Sequence, residues 1–184
     1  MFLIEFCMEV IGHFIFELFK IGILSVVYAT LLLLIRSAFL FVQRKDPKFG
    51  KPRFFQTYRI LYGLLFVFSF TYYGDHGLGD ESKIPIGYRE TMSAGDLNAY
   101  FVPNGGTEQV GIKTYLVSND YLCAATDSGF MAYNLSTGRR TIFDTEQQYK
   151  TYAIGHNLPA PELFLDFFKQ YHNYWSGWRF WTMP

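Results

Sequence analysis

The chain has 184 residues, 50% of them hydrophobic, and its 16 basic and 16 acidic residues give a formal net charge of zero. This length suits one modest domain plus a membrane anchor and excludes two full domains. The neutral total conceals an asymmetry, because the segment through Gly74 has eight basic and four acidic residues, whereas the remainder has eight basic and twelve acidic residues. Since the part expected to form a globule has no basic patch, the sequence argues against nucleic-acid binding.

Residues 1–20 carry ionisable side chains at a spacing of four, namely Glu5, Glu9, His13 and Glu17. On a helix this spacing forms one polar stripe along an otherwise apolar cylinder. The favoured interpretation is an amphipathic helix that lies in the outer interface of the membrane with its stripe facing water. The alternative is a set of intramembrane ionisable groups that line a bundle or a path.

Two apolar segments follow, and each is predicted to cross the membrane. Residues 21–43, in which Arg36 is the one charged residue, would form a helix of about 34 Å, enough for a hydrocarbon core of roughly 30 Å. Residues 54–74 are predicted to form a second, less clearly defined span that includes Arg59. Runs this long and apolar are rarely used in a small soluble core, so a pair of buried helices is the disfavoured alternative.

The connector at residues 44–53 is rich in cations and contains one acid, Asp46. Short loops rich in Lys and Arg stay on the cytoplasmic side of a membrane. The sequence therefore predicts a two-pass protein of the bacterial inner membrane, with this loop in the cytoplasm and with both termini and everything after Gly74 in the periplasm. The residues that would determine this topology are Arg44, Lys45, Lys48, Lys51 and Arg53.

Residues 75–83, DHGLGDESK, form a polar segment with four candidate cation ligands. No helical or hairpin spacing holds these groups together, so a solvated tether is favoured over a metal site. The four groups are Asp75, His76, Asp80 and Glu81.

Residues 84–184 are predicted to form an extracytoplasmic α+β domain, built on a small antiparallel sheet of about five strands. Its strands are rich in β-branched and aromatic residues, and two turn signals, Asp127-Ser128-Gly129 and Ser136-Thr137-Gly138, indicate a three-stranded meander. The strand-like segments are 84–92, 97–102 and 110–117, followed by the meander at 120–125, 129–135 and 139–143.

Two C-terminal helices are expected to cover one face of this sheet. The first would begin at a capping box formed by Asp144 and Gln147 and stop at Gly155. The second would begin at Pro159 and Pro161, because apolar residues recur at helical spacing through the segment that follows them.

The last residues are dense in aromatic side chains, which need either burial or a partner. The favoured interpretation is that they cover the sheet and complete a small core. The alternatives are a protein-binding surface, since Trp, Tyr and Arg are common anchors of interfaces, and contact with the outer leaflet of the membrane. The candidate partner-binding residues are Trp175, Trp178, Arg179, Phe180 and Trp181.

No pattern in the sequence indicates catalysis. There is no GxSxG motif, and His76, His156 and His172 are scattered without the partners that nucleophilic catalysis requires. No closely spaced set of zinc ligands occurs, and Cys7 and Cys123 are expected to be small apolar fillers. We therefore predict a protein that is not an enzyme and holds no cofactor or metal.

The order of two spans, IPIG at 84–87, YNLSTGRRTIF at 133–143 and YWSGWRFW at 174–181 resembles that of small membrane-anchored, uncharacterised proteins of Bacteroidota-type bacteria, some of them immunity-type proteins of toxin-delivery systems. The resemblance implies an extracytoplasmic domain that captures a toxin in the periplasm or at the inner membrane. The expected partners are thus the lipid bilayer and a protein, either a toxin or a subunit of a membrane complex. The alternatives are an accessory subunit of an envelope secretion or transport complex and an envelope ligand sensor, the latter disfavoured by the short cytoplasmic loop.

Overall fold

The computed structural model describes residues 2–43, 51–96 and 98–184. The chain divides into two compact units. The helical unit comprises Met1–Asp75 and Trp178–Pro184, and the sheet unit comprises His76–Gly177. The chain is thus α+β, with a long apolar helix at its N-terminal end, an antiparallel sheet and C-terminal helices.

The helical unit contains α1 (Phe2–Val42), α2 (Lys51–Ser69) and the short C-terminal α5 (Trp178–Thr182). With 41 residues, α1 is about 61 Å long, roughly twice the thickness of a hydrocarbon core. It continues through the predicted boundary at residue 20 because no proline or paired glycines interrupt the segment. The predicted interfacial helix and the predicted first span are therefore parts of one helix, Phe2–Val42.

Within the described residues, one helix is long and apolar enough to span a membrane by length and composition, namely the Met8–Val42 part of α1. The 19-residue α2 includes Lys51, Arg53 and Arg59 and does not meet this condition. The predicted second span, residues 54–74, is therefore not confirmed. The polar stripe of α1 is also divided, because Glu17 is buried whereas Glu9 is exposed.

The sheet unit is built on seven strands in the described part of the chain, more than the five or so that were predicted. They pair in sequence order as an antiparallel meander. The strands are β1 (Ser82–Gly87), β2 (Glu90–Gly95), β3 (Asn98–Phe101), β4 (Val110–Ser118), β5 (Tyr121–Thr126), β6 (Gly129–Asn134) and β7 (Arg140–Phe143). The predicted meander corresponds to β5, β6 and β7, whereas the predicted strand 84–92 is in fact a hairpin of β1 and β2.

The sheet curls over one of its faces. Phe101 in β3 and Tyr133 in β6 are separated by three strand spacings, about 14 Å in a flat sheet, yet their ring centroids lie 4.9 Å apart. The Tyr133 hydroxyl also donates a 3.0 Å hydrogen bond to Oε1 of Glu90 in β2, which is four spacings away. Such contacts between distant strands require strong twist and coiling of the sheet.

Side chains inside this curl form the first of two cores, and Phe167 of α4 (Phe167–Trp175) completes it. The second core lies on the opposite face, where Tyr149 and Ala153 of α3 (Glu146–His156) pack against Cys123. The prediction that both helices cover one face is therefore wrong. The members of the first core are Ile84, Met92, Ala94, Phe101, Ile112, Tyr115, Leu122, Ala124, Met131, Tyr133, Leu135 and Phe167.

Helix α3 begins one residue later than predicted. Its capping box joins Thr145 and Gln148: the Gln148 N–H donates to Oγ1 of Thr145 at 3.3 Å, and Oε1 of Gln148 accepts from the N–H of Thr145 and of Asp144. The helix ends at His156, just beyond the predicted stop at Gly155, and its C-cap Asn157 adopts the left-handed conformation (φ 53°) that favours Asn and Gly.

Helix α4 begins at its N-cap Asp166, well after the predicted start at Pro159 and Pro161. The segment between these prolines and α4 pairs with strand β4. Leu165 in this segment and Tyr115 in β4 exchange both backbone hydrogen bonds, at 2.8 and 3.1 Å. Strand β3 pairs with β4 only as far as Ile112, so the later half of β4 is open to Leu165. This pairing fixes where α4 starts.

Substitution of Tyr115, a member of the first core, tests the packing inside the curl. It is buried, and in the described part of the chain its hydroxyl has no hydrogen-bond partner. Burial of an unpaired hydroxyl costs about 1–3 kcal/mol, so Tyr115→Phe should leave the free energy of unfolding unchanged or raise it. The matched control is Tyr149→Phe, which removes a 2.8 Å hydrogen bond to the Pro159 carbonyl and the hydrogen bond with the Cys123 thiol and should cost at least about 0.5–1.5 kcal/mol. Urea unfolding of both variants measures the difference, and a loss for Tyr115→Phe as large as that of the control would contradict the assignment.

Candidate functional site

The five candidate partner-binding residues fall in two different units. Trp175 ends α4 in the sheet unit, and its indole Nε1 donates a 2.8 Å hydrogen bond to the carbonyl of Lys83 in β1. Its ring also contacts those of Tyr171, Tyr174 and His76. Trp175 is thus a packing residue that holds α4 against the edge strand of the sheet.

The other four residues belong to α5 in the helical unit. Trp178 and Trp181 are 62% and 74% exposed, and Phe180 is also exposed. The expectation that the tail completes the core of the sheet is therefore wrong for α5. Because the aromatic side chains of α5 are exposed, the two alternative interpretations stay open: a protein-binding surface and contact with a membrane leaflet.

Phe180 and Thr182 of α5 both contact α1. The Lys20 ammonium lies 5.2 Å from the centroid of the Phe180 ring, a cation–π distance. The Tyr28 hydroxyl donates a 2.5 Å hydrogen bond to the Thr182 carbonyl. Ile21 and Ser25 lie between these contact points on α1, and both are fully buried.

A further cation lies within α5 itself. The Arg179 guanidinium lies 5.2 Å from the Trp178 ring, and no acidic residue occurs from Ser176 to Pro184. The surface formed by Trp178, Arg179, Phe180 and Trp181 with Lys20 of α1 thus combines exposed aromatic rings with two cations. We call these five residues the aromatic belt.

The predicted topology-determining cations are only partly described. Arg44, Lys45 and Lys48 lie outside the described residues, whereas Lys51 and Arg53 belong to the first turn of α2. The side chain of Arg53 is exposed. The placement of the connector in the cytoplasm stays a prediction.

The segment predicted as a solvated tether is packed from His76 onwards. The N–H of Lys83 donates a 2.9 Å hydrogen bond to the His76 carbonyl. Glu81 accepts a hydrogen bond from the Tyr100 hydroxyl at 3.2 Å and pairs with the Lys83 ammonium at 3.6 Å. This segment is a turn that leads into β1, and the search of the described residues finds no group of three or more His, Cys, Asp or Glu that could hold a metal.

Cys123 is fully buried in the second core, as expected for an apolar filler. Burial raises the pKa of the Cys123 thiol, although a hydrogen bond with Tyr149 partly offsets this effect. A buried thiol with a raised pKa is a poor nucleophile.

Sequence reasoning missed two features of the described residues. One is the buried pair of Glu90 and Tyr133 inside the curl, which joins strands too distant in sequence for any local pattern. The other is an open apolar groove of about 540 Å³ between α1 and α2. A sign of it was available in the spacing of the α1 residues that line it, which recur at helical intervals. The groove is lined by Ile15, Leu18, Phe19, Gly22, Ile23, Val26, Tyr58 and Tyr62.

No family model matches the chain, and neither a curated protein nor a solved structure matches it. The function is therefore inferred from the residues of this chain alone. The features available for that inference are the apolar length of α1, the aromatic belt and the charge of the sheet unit.

Proposed function

We propose that this chain is a membrane-anchored protein whose helix α1 crosses the bilayer and whose sheet unit binds a protein partner on the extracytoplasmic side. The observation that carries the proposal is the surface of α1, where large apolar side chains such as Ile23, Leu34, Ile35 and Phe39 are exposed. Apolar area left in water costs about 25 cal/mol per Å². A bilayer removes this cost, so the surface suits a hydrocarbon environment.

The proposed arrangement is a two-pass hairpin of the bacterial inner membrane. The connector between α1 and α2 lies in the cytoplasm, and the sheet unit and both termini lie in the periplasm. The cation-rich connector supports this orientation, because short loops rich in Lys and Arg stay on the cytoplasmic side. The two helices of the hairpin lie side by side at Gly22, where an added Cβ would be 3.8 Å from the Tyr58 hydroxyl and 4.0 Å from the Tyr62 ring.

The topology makes a specific prediction. A periplasm-active phosphatase fused after Pro184 should be active, and a cytoplasm-active fluorescent fusion at the same place should be dark. Replacing Arg44, Lys45, Lys48, Lys51 and Arg53 together by Gln should reduce phosphatase activity and raise fluorescence, because it removes the charges that retain the loop. The control replaces the exposed cations Arg89, Lys113 and Arg139 by Gln and should change neither signal. A silent phosphatase with a bright fluorescent fusion in the unaltered chain would refute this topology.

The partner proposed for the sheet unit is a basic protein toxin, which would make the chain an immunity-type protein. From His76 to Gly177 the chain has seven basic and eleven acidic residues, a net charge of −4. A field of this sign speeds the encounter with a basic partner. Confinement to the membrane raises the local concentration of the domain where a toxin would act.

Protection from a toxin tests this function directly. Cells that produce the full chain should survive delivery of the toxin encoded by a neighbouring reading frame, and the chain purified in detergent should bind that toxin. Asp96→Asn with Asp127→Asn, both at exposed positions, should slow association several-fold at low salt and leave dissociation unchanged. A full chain that neither binds the toxin nor protects the cells would exclude the immunity function.

One observation favours a second candidate, an accessory subunit of an envelope secretion or transport complex. Helix α1 exceeds the length of a single crossing, and Met8, Ile11 and Phe19 in its first half are exposed. A neighbouring membrane subunit would cover these side chains. Co-purification with stoichiometric envelope subunits, in a genome without an adjacent toxin, would favour this function over immunity.

A further inference from the structure

We infer that the aromatic belt is a docking surface for the boundary between lipid headgroups and acyl chains, on the leaflet where α1 enters the bilayer. This inference rests on the proposed membrane anchorage of α1. It adds a second membrane contact, made by a short helix that does not cross the bilayer, and it assigns the exposed aromatic residues to phospholipid rather than to a protein.

The chemistry of the exposed side chains carries the first step. Trp178 and Trp181 present most of their surface, and a tryptophan has a large apolar ring with one N–H donor. Side chains of this kind concentrate at membrane interfaces, where one part of the ring is in hydrocarbon and the N–H is hydrated. Phe180 packs edge to face on Trp181, with ring centroids 5.2 Å apart, so these two rings form one continuous surface.

The depth of the belt relative to α1 carries the second step. From Ile21 to Val42, α1 has no charge other than Arg36, and this stretch is about 33 Å long, one hydrocarbon thickness. Lys20 immediately precedes the stretch and contacts Phe180. If residues 21–42 cross the bilayer, the belt therefore lies at the interface and not in its centre or far out in water.

The charges carry the third step. Lys20 and Arg179 place two cations beside the rings. No acidic residue occurs from Ser176 to Pro184, and the acid next to Lys20 on α1, Glu17, is buried and interacts electrostatically with Lys20. Lipid phosphates sit at the depth where such cations are stable, because long basic side chains extend from hydrocarbon to the headgroups. The juxtaposition of cations, tryptophans and the end of an apolar span fits phospholipid better than a protein surface of unspecified charge.

The chain has three tryptophans, which allows a direct test on the full protein. In Trp175→Phe the remaining tryptophans are both in the belt, whereas in Trp178→Phe/Trp181→Phe the remaining one is in the sheet unit. Each variant is reconstituted in vesicles of phosphatidylcholine and phosphatidylglycerol whose acyl chains are brominated at a shallow or a deep position. We expect strong quenching of the belt tryptophans, greatest with the shallow bromines, and weaker quenching of Trp175, because its ring packs against Tyr171, Tyr174 and His76.

The outcomes separate this inference from the proposed function. Membrane insertion of the same samples is measured by resistance to alkaline extraction. If the chain resists extraction while the belt tryptophans are quenched no more than Trp175, the anchor stands and lipid docking by the belt is wrong. Preferential quenching by the deep bromines also overturns the interfacial assignment. If the chain is extracted, both the anchorage and this inference fail.

A second pair of variants tests the cations. Lys20→Gln/Arg179→Gln should weaken the extra shallow quenching seen when phosphatidylglycerol is added to phosphatidylcholine. The control Lys113→Gln/Arg139→Gln removes two exposed cations of the sheet unit and should leave it unchanged. An equal response of the two pairs would overturn the role of Lys20 and Arg179. Belt tryptophans that are unquenched in vesicles, but become shielded from aqueous acrylamide when a purified protein partner is added, would show that the belt is a protein interface instead.

Discussion

Replacing Phe101 by Ala is expected to lower the free energy of unfolding of the sheet unit by about 3–5 kcal/mol. The Phe101 side chain is 0% exposed, and its ring packs edge to face on Tyr133 three strands away. Its removal would leave a cavity at the point where the curl closes, and the strands on either side cannot collapse without breaking the contact between Tyr133 and Glu90. Urea unfolding of the full chain in detergent micelles measures the loss, with Trp175 as the one remaining tryptophan in a Trp178→Phe/Trp181→Phe background.

The matched control is Ile142→Ala on the edge strand β7. Ile142 is 55% exposed, so its truncation should change the free energy of unfolding by no more than about 0.5 kcal/mol. A double-mutant cycle of Phe101→Ala and Tyr133→Ala should give a coupling of about 0.5–1.5 kcal/mol, the value expected of a packed aromatic pair. Zero coupling, or a Phe101→Ala loss as small as that of Ile142→Ala, would mean that the sheet is not curled in this way.

The local chemistry of the turns explains why the meander could be predicted. Gly129 follows the β5–β6 turn with φ 145°, and Asn134 accepts hydrogen bonds from the backbone N–H groups of Ser136 and Thr137. Both are properties of residues that favour turns wherever they occur. The strands between them were therefore placed to within a residue or two.

The hairpin of β1 and β2 could not be predicted in the same way. Its turn residues, Tyr88 and Arg89, both have positive φ, 51° and 65°, although neither is a residue that favours this conformation. A contact remote in sequence supports the turn, since a hydrogen bond with the Asp120 carboxylate raises the pKa of the Tyr88 hydroxyl. A local pattern contains no information about such a partner.

The sequence contains a pattern that indicates helices on both faces of the sheet, and the prediction did not use it. Leu122, Cys123 and Ala124 are consecutive and all fully buried, with Cys123 in one core and its two neighbours in the other. A strand that is apolar at successive positions is covered on both faces. By contrast, the composition of the aromatic belt fits a core, an interface or a membrane equally well, so its position required the contacts with Lys20 and Tyr28.

Gly77→Ala is expected to lower the free energy of unfolding of the sheet unit by at least about 3 kcal/mol. Gly77 has φ 95°, a conformation that side chains rarely adopt, and a Cβ at this position would lie 1.9 Å from the Glu81 carbonyl oxygen. The turn that leads into β1 cannot open to relieve this overlap without losing the hydrogen bond from the Lys83 N–H to the His76 carbonyl. Unfolding is followed by Trp175, whose ring lies beside His76.

Gly95→Ala is the matched control, because a Cβ at Gly95 would meet no described atom within 4 Å and its φ is ordinary. Alanine restricts the unfolded chain more than glycine does, so this variant should be neutral or stabilising by up to about 1 kcal/mol. The comparison decides between a packed turn and the solvated tether that composition alone suggests. A solvated tether would tolerate alanine at Gly77 as well as alanine at Gly95. A turn packed through His76, Glu81 and Lys83 would instead be destabilised by alanine at Gly77 and not by alanine at Gly95.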